Sequence, residues 1–74
     1  METVNGSAAI YEIRLEGRLP EYREAWFEGM TLTYDDAGHT LLTGPVADQA
    51  ALHGLLDKIR DLGIPLLSVN QVQP

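Results

Sequence analysis

Hydrophobic and polar residues begin to alternate about ten residues into the chain. Residues 1–9 are mostly small or polar and have no periodicity, so we expect a flexible N-terminal arm. Beyond them, Tyr11, Ile13 and Leu15 alternate with charged residues. A period of two is typical of a strand with one buried face, and it predicts a first strand that ends at Gly17.

A short helix is predicted next. Pro20 suits a first helical position, because its missing N–H would have no partner there. Tyr22, Ala25 and Trp26 follow at helical spacing, with Met30 one turn further on. We therefore expect about two helical turns that bury this face.

The following segment predicts a hairpin of two strands, residues 30–34 and 39–43, joined by a turn at residues 35–38. A loop of two or four residues places Tyr34 and His39 on the same face, whereas a three-residue loop needs a bulge to do so. The residues on the core-facing side are then Met30, Leu32, Tyr34, His39 and Leu41.

The clearest element is a long amphipathic helix over residues 49–62. Asp48 suits its N-cap, and Gly63 suits the position just past its end. Its apolar stripe consists of Leu52, Leu55, Leu56, Ile59 and Leu62.

A fourth strand is predicted at residues 64–72, with Leu67 and Val69 facing inward. The element order is strand, short helix, two strands, long helix, strand. Its simplest closed arrangement is a single α+β domain over residues 10–74, a ferredoxin-like βαββαβ two-layer sandwich. We expect a four-stranded antiparallel sheet with a short first helix.

Composition and charge narrow the functional classes. The 74 residues carry 11 Asp and Glu against 5 Lys and Arg, a formal charge of −6, which argues against nucleic acid and membrane surfaces as partners. No apolar run is long enough to span a membrane, and the polar N-terminus is unlike a signal peptide. The absence of Cys excludes disulfides and thiolate sites. We expect a cytoplasmic domain.

Three stretches, residues 11–17, 26–33 and 42–56, carry a resemblance to a family of short bacterial proteins without an assigned activity. The resemblance covers nearly everything after the arm and implies a complete small protein, with no catalytic residues to transfer. In shape alone, residues 48–69 are similar to the last helix and strand of ACT-type regulatory domains.

The few residues with catalytic or metal-binding chemistry do not converge in the sequence. His39 and His53 lie on different predicted elements, and Asp57 is the only carboxylate at helical spacing after His53, so we expect no metal and no cofactor. Asp35 and Asp36 are typical of a solvated turn. No residue is assigned a catalytic role.

The alternative function is a small dimeric enzyme of the ferredoxin-like type, with a pocket between the helices and the sheet near Tyr34 and His39. His39 is interpreted first as a hydrogen-bonded structural residue, and Trp26 with Phe27 as core aromatics. The candidate ligand-binding residues are Tyr11, Trp26, Tyr34 and His39.

Gly54 is unexpected inside a strong helix, because glycine there costs about 1 kcal/mol relative to Ala. It points away from the leucine stripe, on the same side as Ala50. A smooth strip of Ala50 and Gly54 would let another backbone approach closely, although a tolerated surface glycine is the simpler interpretation.

The sequence therefore favours a non-enzymatic binding or protein-interaction module that acts as a homodimer through the open face of the sheet. The sequence does not distinguish between a protein and a small ligand as the molecule that such a module binds. An alternative is an acidic regulator that binds a basic partner through Glu21, Glu24 and Glu28. The candidate interface residues are Glu12, Arg14, Leu42 and Leu66.

Overall fold

A computed structural model of the chain describes residues 9–73, so the predicted arm lies outside the described residues except for its last residue. The structure is a small mixed α/β domain. Its elements are β1 (Ala9–Leu15), a 3-10 helix (Glu21–Trp26), β2 (Thr31–Tyr34), β3 (Thr40–Val46), α1 (Gln49–Asp61) and β4 (Leu66–Gln73).

The four strands form one antiparallel sheet in the order β2-β3-β1-β4. Helix α1 packs on one face, where its buried Leu52 and Ile59 join the core formed by β1, β2 and β3. The expected four-stranded antiparallel sheet is therefore confirmed. A strict ferredoxin-like fold has an α-helix in each crossover, whereas the first crossover here contains only a 3-10 helix.

The prediction for this first crossover is wrong in its helix type and in its buried face. Tyr22 is 72% exposed and Trp26 is also exposed, whereas Phe27 is buried. A 3-10 helix has three residues per turn, so side chains four positions apart do not share a face. Of the two consecutive aromatics, only the one that follows the helix enters the core.

The turn between β2 and β3 sets a register different from the expected one. The Asp35 N–H donates to the His39 carbonyl at 2.9 Å, which leaves a three-residue loop, and Gly38 adopts φ +85°. Glycine tolerates this left-handed conformation, which a three-residue hairpin loop requires. Tyr34 consequently pairs with Thr40.

In this register the two faces of β3 are exchanged relative to the prediction: Thr40 and Leu42 face the core in place of His39 and Leu41. Leu42 pairs with Leu32 and Ile13 and is fully buried, so its predicted role in an interface is wrong. Thr40 is buried beside it. Leu41 lies on the opposite face, because successive residues of a strand alternate and a shift of one residue exchanges the two sides.

Strand β3 continues through Gly44 and Pro45, beyond its predicted end at residue 43. Strand β2 begins only at Thr31, which pairs with Thr43, so Pro45 has no β2 residue beside it to bond. A Cβ built at Gly44 would lie 2.4 Å from the Gly29 carbonyl oxygen. Only glycine therefore lets the chain before β2 cross β3 this closely.

Strand β4 begins two residues later than predicted. Val69 pairs with Ile13 and is half-buried, as expected. The register shifts between Arg14 and Leu15, which leaves Leu67 without a partner and 45% exposed. Its predicted inward position is wrong, because a bulge re-aims the side chains of the strand.

Helix α1 matches its prediction closely. The Asp48 carboxylate accepts a hydrogen bond from the Ala51 N–H at 2.8 Å, as an N-cap should. Gly63 follows the helix with φ +73°. Within the apolar stripe, Leu55, Leu56 and Leu62 are half-buried against the core.

Candidate binding groove

A groove of about 410 Å³ opens between α1, the end of β3 and residues 27–30. Volumes of this size are typical of sites that hold a ligand or a few apolar side chains. Its floor consists of Phe27, Met30 and Val46, all buried. The close crossing over Gly44 positions this floor, because it brings the main chain of Gly29 and Met30 down onto β3.

Small residues of α1 form one wall of the groove. Ala51 and Gly54 lie one turn apart, with Leu55 beside them. A Cβ built at Gly54 would meet nothing within 4 Å, so no neighbour in the described residues requires a glycine there. The strip of small residues in this wall runs through Ala51 rather than the expected Ala50.

The rim carries one charge of each sign, Glu28 and Lys58. The Lys58 Nζ donates to the Trp26 carbonyl at 2.9 Å, which ties α1 to the end of the 3-10 helix. The Arg23 guanidinium lies 4.4 Å from the centre of the Trp26 ring, within range of a cation–π contact. The site therefore combines an apolar floor with a polar rim.

A separate polar cluster, formed by Tyr34, His39 and Thr40, lies at the hairpin end of the sheet. The Thr40 hydroxyl accepts from the Leu19 N–H and donates to the Gly17 carbonyl, both at 2.8 Å. The Tyr34 hydroxyl donates to the Leu19 carbonyl at 2.5 Å. These side chains hold the loop that follows β1.

His39 and Asp35 complete this end of the sheet. The Gly17 N–H donates to His39 Nδ1 at 3.1 Å. Asp35 accepts from the backbone N–H groups of His39 and Ala37 and forms an ion pair with Arg14. The His39 N–H lowers the pKa of the Asp35 carboxyl most, with the Ala37 N–H and the Arg14 charge acting in the same direction against partial burial.

The structure does not bring the four candidate ligand-binding residues together. Tyr34 and His39 lie at the hairpin end, away from the groove. Tyr11 pairs with Gly44, next to the groove floor, and Trp26 reaches the rim through its carbonyl. Their roles in binding stay predictions.

The sequence indicated only part of the groove. The unexplained Gly54 was the available signal on α1. No sequence pattern indicated that Val46 and Met30 would line the same groove, because the close crossing of the chain at Gly44 brings them together. Across residues 9–73, no group of three His, Asp or Glu side chains lies close enough to hold a metal ion.

Comparison with known families decides the classification. A family model described as a domain of unknown function, DUF8691, matches residues 10–70. The chain belongs to this family. Comparison with curated proteins and with solved structures finds no match. Among the helices of the described part of the chain, none is long and apolar enough to cross a membrane.

Proposed function

We propose that this DUF8691 domain is a non-enzymatic interaction module that acts as a homodimer and binds an apolar segment of a partner protein in the groove. The observation that supports this most is the open space over Gly54, directly above a floor of buried apolar side chains. A side chain at this position would occupy the groove, whereas glycine leaves it free at a cost to the helix of about 1 kcal/mol.

A protein segment fits the shape of the groove better than a small molecule. The floor is buried, but the walls at Pro45, Ala47 and Ala51 are exposed. Small-molecule sites enclose most of their ligand's surface, whereas this groove has exposed walls and leaves an occupant partly open to solvent. The small residues of α1 allow the main chain of a segment to approach closely.

Charge favours a basic partner. The protein carries a formal charge of −6; Glu21 and Glu28 are exposed, and Glu28 lies on the groove rim. Glu24 already accepts a hydrogen bond from the Leu32 N–H, so its carboxylate is engaged within the fold. The segment we propose therefore combines one or two apolar side chains with Lys or Arg beside them.

The proposal also includes the fold type and the cellular location. The sheet order and the helix on one face support a ferredoxin-like sandwich in which the first helix is reduced to a 3-10 helix. The cytoplasmic setting stays a prediction, because a chain without Cys fits a reducing and an oxidising compartment equally. Bacterial origin stays a prediction from the resemblance.

The experiment is a titration of the isotope-labelled protein with short peptides that combine Leu or Phe with Lys and Arg, followed by amide NMR shifts. Peptides with the same apolar residues and acidic neighbours serve as the charge control. We expect the largest shifts at Ala51, Gly54 and Met30. Shifts confined to Tyr34 and His39 would contradict the proposal, as would the absence of binding by every peptide.

A matched pair of variants tests the groove itself. Gly54→Leu places a side chain in the groove and is expected to weaken peptide binding at least tenfold, a difference of about 1.4 kcal/mol. Ala50→Leu adds the same bulk on α1 outside the lining and should leave binding unchanged. Equal binding by both variants would exclude the groove as the site.

A further inference from the structure

The two edges of the sheet are protected to different degrees. Strand β2 has only four residues, and the N–H of its Leu32 donates to the Glu24 carboxylate at 2.9 Å. The 3-10 helix that carries Glu24 contacts this edge. A covered, short edge strand is a common protection against pairing with another chain.

Strand β4 is neither short nor covered, and its two register irregularities against β1 fall at Leu67 and Val72, near its ends. It has eight residues, and within residues 9–73 no strand pairs with its outer side and no side-chain hydrogen bond reaches it. Its sequence contains no charged residue and no Pro, although 22% of the chain is charged. A long neutral edge with free backbone donors and acceptors is a template for a further strand.

Exposed apolar side chains lie at both ends of β4. Leu66 and Leu67 at its start are 46% and 45% exposed, and Val72 near its end is 49% exposed. Between them lie polar side chains that carry no charge, at Ser68 and Asn70. The distribution is apolar, polar, apolar along one edge.

We propose that β4 pairs antiparallel with β4 of a second copy of this chain, which joins the two sheets into one of eight strands. The inference rests on the homodimer of the proposed function and names its surface. In a symmetric antiparallel pair the start of each strand lies beside the end of the other, so the apolar end at Leu66 comes next to the apolar end at Val72 of the second copy. The neutral edge also avoids the repulsion between two chains that each carry −6.

The open face of the sheet is a weaker surface for self-association. Leu42, expected there, is buried in the core, and Arg14 already forms an ion pair with Asp35 in its own chain. What remains at the centre of that face is Glu12, Leu41 and Thr43, and a two-fold contact would place like charges of Glu12 near each other.

Sedimentation velocity of the full chain over a range of micromolar concentrations tests the proposal. We expect a species of twice the mass of one chain. Leu66→Glu and Val72→Lys should each give the mass of a single chain, because each puts an unpaired charge in the apolar contact. An equimolar mixture of the two variants should restore the doubled mass, since opposite charges then face each other across the pair.

Two control variants separate this surface from the others. Thr31→Lys on the protected edge and Gly54→Leu in the groove should both leave the doubled mass unchanged, so failure of the groove proposal is distinguishable from failure of this one. A wild-type protein with the mass of one chain at every concentration would overturn the proposal. So would a mixture of Leu66→Glu and Val72→Lys that stays at single-chain mass, or loss of the doubled mass in Leu41→Glu while Val72→Lys retains it.

Discussion

The two connections that cross the sheet differ in where their buried residues lie and in how many polar contacts hold them. The second connection, residues 47–65, contains α1 and is held by the burial of Leu52 and Ile59. The first, residues 16–30, has no buried residue within its 3-10 helix. It contributes Leu19, Phe27 and Met30 to the core from outside that helix, and its start is held by hydrogen bonds from the Thr40 and Tyr34 side chains to its backbone.

This difference explains why one connection was predicted and the other was not. An apolar stripe repeats within its own segment, so the pattern of α1 is visible locally. The Leu19 N–H finds its acceptor on Thr40, 21 residues away along the chain. A hydrogen bond between residues this far apart leaves no pattern in the local sequence. Helical spacing was therefore the only signal for the first connection, and it predicted the wrong helix type.

The largest expected effect is at the buried face of α1. Ile59→Ala should lower the free energy of unfolding by about 2–5 kcal/mol, because it leaves a cavity beside the core. Chemical denaturation measures the change, and Arg60→Ala on the exposed side of the same helix is the control. Similar values for both variants would mean that burial does not hold this connection.

A smaller loss is expected for the polar anchoring of the first connection. Thr40→Val keeps the shape but leaves the buried Leu19 N–H and Gly17 carbonyl without their partner, a cost of about 1–3 kcal/mol. Thr40→Ser retains the hydroxyl and should recover much of the loss in the same denaturation assay. Unchanged stability of Thr40→Val would refute the proposed anchoring.

A gain in stability is expected at Gly54. Because its Cβ would meet nothing within 4 Å, Gly54→Ala should raise the free energy of unfolding by up to about 1 kcal/mol through helix propensity. Gly44→Ala is the opposite case, since its Cβ would approach the Gly29 carbonyl oxygen to 2.4 Å. Thermal melting should therefore rise for the first variant and fall for the second.

The smallest effect is a pH dependence at the hairpin end. The pKa of Asp35 lies below its usual value of 3.8, so its ionised form is favoured in the folded state. That contribution is complete above the unfolded pKa and is lost as the pH falls through the lower folded value. Asp35→Asn should flatten the profile of unfolding free energy against pH below about pH 4, as measured by chemical denaturation over that range.

How far the sequence predicts this protein differs from element to element. The first strand, the N-cap at Asp48 and the end of α1 at Gly63 are visible in short stretches of residues and are confirmed. The face of β3 was not predictable, because it depends on whether the turn contains an odd or an even number of residues. The exposure of Leu67 depends on a bulge against β1.

By itself, the sequence determined the elements whose information is local: alternation in β1, the stripe and caps of α1, and the acidic, cysteine-free composition. Tertiary structure alone decided the register of the hairpin, the 3-10 form of the first crossover and the groove. The register depends on the number of residues in the turn, whereas the 3-10 crossover and the groove depend on contacts between distant residues, such as Leu19 with Thr40 or Gly29 over Gly44. Local propensity is weak, and such contacts override it because a buried polar group or a steric clash costs more free energy than an unfavoured backbone conformation.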